Sequence, residues 1–168
     1  MITARVAAPA DAEAWRALRL DALRAYPSAF LTTYAEGAAA SVADYAQRLE
    51  QENSFIVLDG SEAVGIAALI PLTQRFQTVH RGEIGAVYIA ASHQGRGAAG
   101  ALMTAIEAQA GALGIWQLEL FVEARNTRAQ SFYAKCGYVQ AGRLPNAVVT
   151  PDGPADDLFL VKDLRRSG

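Results

Sequence analysis

The chain has little of several features that define whole classes of protein. It carries one cysteine, Cys136, so no disulfide framework can form within it. Its two histidines stand apart from any group of cysteines or aspartates, which argues against a metal site. Its longest apolar run, AVGIAALI, is too short to span a bilayer. No apolar stretch follows a basic start near the first residue, so we expect no signal peptide.

Strong net charge is also missing. The formal charge is −2 over 168 residues, which creates no general field that would attract nucleic acid or an anionic membrane. With 52% hydrophobic and 19% charged residues, the composition is that of a globular protein rather than a disordered one. We therefore expect a single domain over residues 1–168, located in the cytoplasm, with neither nucleic acid nor membrane as a partner.

Hydrophobic periodicity and turn residues predict alternating helices and strands. SFIVL and EAVGIAALI flank the turn residues DGS, which is a strong hairpin signal. Asp11 is a candidate cap for a first helix, and Ser41 for a second helix in which Asp44 completes a capping box. Asn126 is expected to cap a short helix that ends at Gly137. The segment SAFLTTYAEG is expected to be irregular.

The last part of the chain is expected to close the sheet. YVQAGR and DDLFLVKDL are predicted strands on either side of the turn-rich LPNAVVTPDGPA. The element order is then β-α-α-β-β-β-α-β-α-β-β, with an early antiparallel hairpin and one right-handed β-α-β crossover. This predicts a mixed α/β fold in which about seven strands, mostly antiparallel in one twisted sheet, are flanked by about four helices.

The stretch GRGAAG, residues 95–100, matches the glycine pattern of dinucleotide-binding domains. Its context does not fit such a domain, because a hairpin and some 80 residues precede it. Glu119 has the sequence spacing of the acidic residue that binds the ribose in such domains, but it lies within a strand rather than at the end of one. A P-loop is excluded because no Lys-Ser or Lys-Thr follows Gly100. The small side chains still leave bare backbone N–H groups at a helix start, where an anion can bind and Arg96 can assist. Alternatively, they only let the helix pack closely on the sheet.

Two motifs in order favour the anion site. VYIAASHQGRGAAGALM resembles the central Q/R-x-x-G-x-G/A motif of the GNAT superfamily of acyl-CoA-dependent N-acetyltransferases. NTRAQSFYAKCGYVQAG resembles the following N-x-x-A-x-x-F-Y-x-K-x-G-F block of that family, with Tyr138 in place of phenylalanine. The resemblance extends over nearly the whole chain and implies a GNAT-like fold with acetyl-CoA (CoA) as cofactor.

The resemblance also implies which residues bind acetyl-CoA. The pyrophosphate is expected on the backbone of the helix start, and the pantetheine arm is expected to pair with the central strand like an extra strand. A bulge near residues 85–87 would turn backbone groups toward the thioester. The expected cofactor-binding residues are Val87, Tyr88, Ile89, Gln94, Gly95, Arg96, Gly97, Ala98, Ala99, Gly100, Asn126, Arg128, Ser131, Tyr133 and Lys135.

The resemblance implies direct transfer of an acetyl group to an amine without an acyl-enzyme. Tyr133 matches the tyrosine that protonates the departing thiolate, although it could simply be a core aromatic. Glu83 resembles the glutamate that accepts the amine proton, directly or through water, although it could be a solvated carboxylate. His80 is the alternative base, and His93 is expected at the surface or against CoA. Cys136 has no neighbouring histidine to activate it and is expected to be an inert thiol.

The acceptor is a small-molecule amine or a peptide amine that the sequence does not identify. The first helical region and the last loop are expected to form its pocket, from Phe30, Thr33, Tyr34, Glu36, Asn146 and Asp157, with Asp156 as an alternative to Asp157. The rival hypothesis is a non-catalytic acyl-CoA-binding module, or sensor, of the same fold. A homodimer is also compatible with the resemblance.

Overall fold

The hairpin around the Asp59–Gly60 turn lies within a seven-stranded sheet of order β1-β2-β3-β4-β5-β7-β6. A computed structural model of the chain describes residues 1–166. The strands are β1 (Ile2–Val6), β2 (Asn53–Asp59), β3 (Glu62–Pro71), β4 (Arg81–Ile89), β5 (Gln117–Glu123), β6 (Val139–Thr150) and β7 (Gly153–Asp163). The helices are α1 (Ala12–Ala25), α2 (Tyr34–Ala39), α3 (Val42–Gln51), α4 (Ala98–Ala112) and α5 (Thr127–Lys135).

The pairing within the sheet is mostly antiparallel. Among the strands of residues 1–166, only β4 and β5 run parallel, and α4 connects them. All the other neighbours pair antiparallel. The predicted mixed sheet with a single β-α-β crossover is therefore confirmed.

Helices cover both faces of this sheet because successive side chains of a strand point to opposite faces. Phe55 and Val57 of β2 belong to a core cluster that includes Leu102 and Ile106 of α4. Ile56, between them, belongs to a second cluster with side chains of α1 and α3. The sheet is thus the middle layer between α4 on one side and α1 with α3 on the other.

Several local predictions are confirmed by hydrogen bonds. The Ser41 hydroxyl accepts from the Asp44 N–H, and the Asp44 carboxylate accepts from the Ser41 N–H, so α3 begins with a complete capping box. The Asn126 side chain caps α5 by accepting from the Ala129 N–H at 3.0 Å. Gly137 follows α5 with a φ of +88°, a conformation that favours glycine at this position.

Three local predictions were wrong. Asp11 does not cap α1, because its carboxylate binds Arg5 at 2.7 Å and the Ala8 N–H instead. The segment expected to be irregular contains α2, so residues 1–166 hold five α-helices where about four were expected. The turn-rich segment after Arg143 stays within a long β6–β7 hairpin whose pairing shifts register between Leu144 and Val148.

Among residues 1–166, no helix combines the length and the apolar character needed to cross a bilayer.

Candidate active site

The parallel strands β4 and β5 separate after a short common ladder. Their pairing covers three residue pairs and ends where Glu83 lies beside Glu119. Beyond this point β4 stays paired with β3, and β5 with β7. A cavity of about 560 Å³ opens at the separation, with walls from β4, β5, α5, the segment after α1 and the β6–β7 hairpin. Its size is within the usual range for small-molecule sites.

A bulge in β4 shapes one wall of this cavity. Ala68 of β3 pairs with Gly85 and Ile66 pairs with Tyr88, so two residues of β4, Ala86 and Val87, face one residue of β3. Ala86 has a φ of +55°, which is rare for a residue with a side chain. The predicted bulge is confirmed, and it changes the direction of backbone groups beside the cavity.

The glycine stretch forms a turn with open space around it. Gly95 and Gly97 have φ values of +78° and +89°. A Cβ atom added at Gly95, Gly97 or Gly100 would meet no atom within 4 Å. These glycines are therefore not required for close packing on the sheet. The left-handed backbone explains why glycine occupies positions 95 and 97. The open space around all three glycines suits a ligand that approaches the main chain.

The start of α4 leaves backbone donors without helical acceptors. The first intrahelical bond runs from the Ala101 N–H to the Gly97 carbonyl at 3.0 Å. Gly97 provides no side-chain cap, so the N–H groups of residues 98–100 lack a helical partner. Together with the positive end of the helix dipole, they form a site with the chemistry that phosphate requires.

Gln94 connects this turn to the neighbouring elements. Its Nε2 donates to the Ile89 carbonyl at 3.0 Å, and its Oε1 accepts from Arg128 Nη1 at 2.8 Å. The end of β4, the glycine turn and α5 are thereby held together. Arg128 is thereby held against Gln94, the residue that precedes the glycine turn.

Glu83 lines the cavity at the point where the strands separate. Burial, and secondly the charge of Glu119, raise the pKa of Glu83 above its usual range. Glu119 itself is 4% exposed and is held by Arg81 through two hydrogen bonds of 2.9 and 2.7 Å. A carboxylate whose pKa is raised binds a proton more readily, which suits a general base.

Tyr133 also lines the cavity, from α5. Its ring packs edge-on against Phe132 and Tyr138, with ring centroids 5.3 and 5.7 Å apart. Burial raises the pKa of Tyr133, so its hydroxyl keeps its proton at neutral pH. A carboxyl group with a raised pKa and a protonated phenol thus line the same cavity.

The structure brings some of the predicted site residues to this cavity. Those that line it are Phe30, Glu83, Val87, Asn126, Tyr133 and Asp157. Arg96, Ser131 and Lys135 are exposed near the glycine turn or along α5. The ring of Tyr88 packs against Tyr26 at 6.2 Å.

Other predicted acceptor residues lie elsewhere. Thr33 and Glu36 form the capping box of α2, and Glu36 lines a neighbouring cavity of about 460 Å³. The Tyr34 hydroxyl accepts a hydrogen bond from Arg24 at 2.8 Å. Asn146 has a φ of +52° and donates its N–H to Asp156 at 2.9 Å.

The alternative base lies away from the cavity wall. The ring of His80 stacks on Trp116 with centroids 4.2 Å apart, and the guanidinium of Arg165 covers that indole at 3.5 Å. His93 is 7% exposed, with its ring 3.5 Å from Asp59 and 2.9 Å from the Ser92 hydroxyl.

The sequence analysis missed Arg19, Ser28, Glu123, Leu144 and Val148, all of which line the cavity. For Arg19 the signal was present. It follows Trp15 by four positions on α1 and precedes Ala22 by three, so it lies on or beside the buried face of that helix. A charge at such a position indicates either an ion pair or a ligand.

Comparisons with known proteins agree with this geometry. The sequence model of the acetyltransferase (GNAT) family matches residues 15–138. A search of curated protein sequences finds no significant match.

Several solved structures have the same fold. The GNAT-family acetyltransferase of Streptococcus pneumoniae is 19% identical, with a TM-score of 0.82 over 98% of this chain and 99% of that one. The yncA protein of Salmonella typhimurium, solved with its cofactor acetyl-CoA, is 17% identical, with a TM-score of 0.85 over 100% and 96%. The ribosomal-protein-alanine N-acetyltransferase of Brucella melitensis is 23% identical, with a TM-score of 0.79 over 96% and 99%.

The family match covers most of the chain and includes both motifs, the strand separation and the glycine turn. The chain therefore belongs to the GNAT family of acetyltransferases.

Proposed function

We propose that residues 1–168 form one N-acetyltransferase domain that transfers an acetyl group from acetyl-CoA to a primary amine. The observation that carries this proposal is that Glu83 and Tyr133 line one cavity where β4 and β5 separate. Glu83 can take a proton from an amine, and Tyr133 can give a proton to a leaving group. The family and the amine chemistry of its members support the same activity.

The residues around the cavity fit acetyl-CoA. The unpartnered N–H groups at the start of α4 suit the pyrophosphate, and nothing fills the space beside Gly95 and Gly97. The β4 backbone after Glu83 is no longer paired with β5, so it can pair with the pantetheine amides through Val87 and Ile89. Asn126, Arg128, Ser131 and Lys135 would surround the rest of the molecule.

Acetyl-CoA supplies an activated acetyl thioester. Glu83 accepts the proton of the incoming amine on its carboxylate, directly or through water. The Tyr133 hydroxyl donates its proton to the departing sulfur, and a backbone N–H of the bulged strand, from Tyr88 or Ile89, polarises the carbonyl.

Direct transfer needs no covalent intermediate on the protein. Cys136 does not line the cavity, and burial raises the pKa of its thiol. Its thiolate, the nucleophilic form, is therefore disfavoured. We assign Cys136 no role in the reaction.

The proposal predicts separate roles for two neighbouring tyrosines. Tyr133→Phe should lower kcat by roughly 100-fold or more while the KM for acetyl-CoA changes little, because only the proton donor is lost. Tyr138→Phe is the matched control, since its hydroxyl is buried without a partner among residues 1–166 and does not line the cavity. The measurement is release of free CoA thiol from acetyl-CoA across a panel of primary amines.

The same assay tests the rival function. A sensor module would be favoured if the protein binds acetyl-CoA without turnover of any amine and if the Tyr133→Phe variant behaves as the wild type does in every assay. A homodimer, for which β6 offers an exposed edge strand, is tested by sedimentation of the purified chain.

A further inference from the structure

Arg19 lies between two cavities. It lines the candidate active site of about 560 Å³ and also the neighbouring cavity of about 460 Å³. Ala86, the residue with positive φ in the β4 bulge, lines both cavities as well. Arg19 is therefore beside the part of the strand where the acetyl group is expected.

The guanidinium of Arg19 lacks the partners that other arginines of this chain have. Its Nη1 is buried and has no hydrogen-bond acceptor among residues 1–166. By contrast, Arg81 binds Glu119 at 2.7 Å and Arg16 donates to the carbonyls of Ala38 and Ala40. Arg19 is covered on one side by the ring of Phe30, 4.7 Å from its central carbon. An aromatic ring attracts the cation but accepts none of its in-plane hydrogen bonds.

The charges that act on Arg19 do not compensate for its burial. Burial lowers its pKa most, Tyr45 opposes this, and the charge of Arg48 lowers the pKa further. Among residues 1–166, no hydrogen bond joins Arg19 to a carboxylate that lines either cavity. Glu36 instead binds the Thr33 N–H at 2.7 Å, and Glu123 binds Arg125 at 2.7 Å. Arg19 thus offers an unused, partly desolvated cation to whatever occupies the cavity.

The acidic residues lie on the sheet side of the same cavity. Glu83 and Asp157 line it, and burial raises the pKa of both carboxyl groups. The cavity therefore has a cation on its α1 side and carboxyl groups on its strands. A molecule that matches this arrangement has an amine for the strands and an anion for α1.

We propose that Arg19 binds a carboxylate of the acceptor, so that the acceptor is a small amine of amino-acid type rather than a simple alkylamine or a peptide amine. This inference rests on the proposed function. Arginine presents its donors as a planar fork that matches the two oxygens of a carboxylate. The volume favours a small acceptor, because the cavity also has to admit the acetyl end of acetyl-CoA.

The test measures binding of product-like probes and does not depend on turnover. Purified protein saturated with CoA is melted with each of the N-acetylated common amino acids and with the matching carboxamides. We expect at least one free acid to raise the Tm, its carboxamide to fail, and Arg19→Gln to bind that acid about 10- to 100-fold more weakly. Arg19→Lys should lose less affinity for the acid than Arg19→Gln, because lysine keeps the charge but lacks the planar pair of N–H donors.

Arg24→Gln is the matched control, since it removes the same charge from the same helix at an exposed position outside the cavity. It should bind the acid as wild type does. The inference is wrong if no acid binds, if carboxamides bind equally well, or if Arg19→Gln keeps its affinity for the acid. A failure of CoA itself to raise the Tm would instead contradict the proposed function, so the two failures are distinguishable.

Discussion

Glu83 owes its raised pKa to burial and to one charge on the adjacent strand β5, that of Glu119. Glu119 lies beside it in the parallel ladder, and Arg81 holds Glu119 in place. The negative charge of Glu119 adds to burial in raising the pKa of Glu83. The sequence predicted Glu83 as a candidate base, but it could not predict this neighbour, because the β4–β5 register depends on how α4 returns the chain to the sheet.

The neighbouring charge of Glu119 predicts that the pH dependence of kcat/KM shifts when Glu119 is replaced. Glu83 accepts a proton only when ionised, so kcat/KM rises as the pH increases through its pKa. Glu119→Gln removes the charge that raises that pKa, so the rising limb should move to lower pH. The pH profile of thiol release measures this shift, with the exposed Glu62→Gln as control. An unmoved limb in folded Glu119→Gln protein would exclude Glu83 as the base that the profile reports.

At the scale of elements, the glycine turn and α4 act as one unit. The sequence predicted a helix start with an anion beside it in residues 95–100, and α4 begins at Ala98, within that stretch. The sequence could not decide whether the small residues serve packing or a ligand. The open space beside Gly95, Gly97 and Gly100 argues against the packing alternative, because no packed neighbour requires their small size, and the ligand remains the prediction.

A pair of glycine substitutions at opposite ends of α4 tests that assignment. Gly97→Glu should abolish CoA binding, because it places a negative side chain where the phosphate is expected. Gly114→Glu is the control, since Gly114 also has positive φ and open space but lies after the C-terminal end of the helix. Both substitutions force a side chain into the left-handed region at about 1–2 kcal/mol, so they should lose similar stability.

Isothermal titration with CoA separates the two variants. Retained affinity in folded Gly97→Glu protein, or an equal loss in Gly114→Glu, would contradict the phosphate assignment.

At the scale of the whole molecule, local signals predicted most elements but not the shape of the site. Turn residues and capping boxes act over a few positions, so the β2–β3 hairpin and α3 were predicted correctly. The α2 helix was missed because the capping box of Thr33 lies in a segment without a long apolar pattern. The cavity, and the lack of a hydrogen-bond acceptor for Arg19 Nη1 among residues 1–166, depend on contacts between distant parts of the chain. Hydrophobic periodicity in the sequence does not predict such contacts.

The measurement that tests the central claim most directly is a thermal melt of the wild-type chain with acetyl-CoA, CoA, NADH or buffer alone. A ligand at 100 times its Kd stabilises the folded state by about 2.7 kcal/mol, which raises the Tm of a protein of this size by about 5–10 °C. We predict this rise with acetyl-CoA and CoA and none with NADH. No rise with either CoA species, or an equal rise with NADH, would contradict the assignment of the glycine turn to acetyl-CoA.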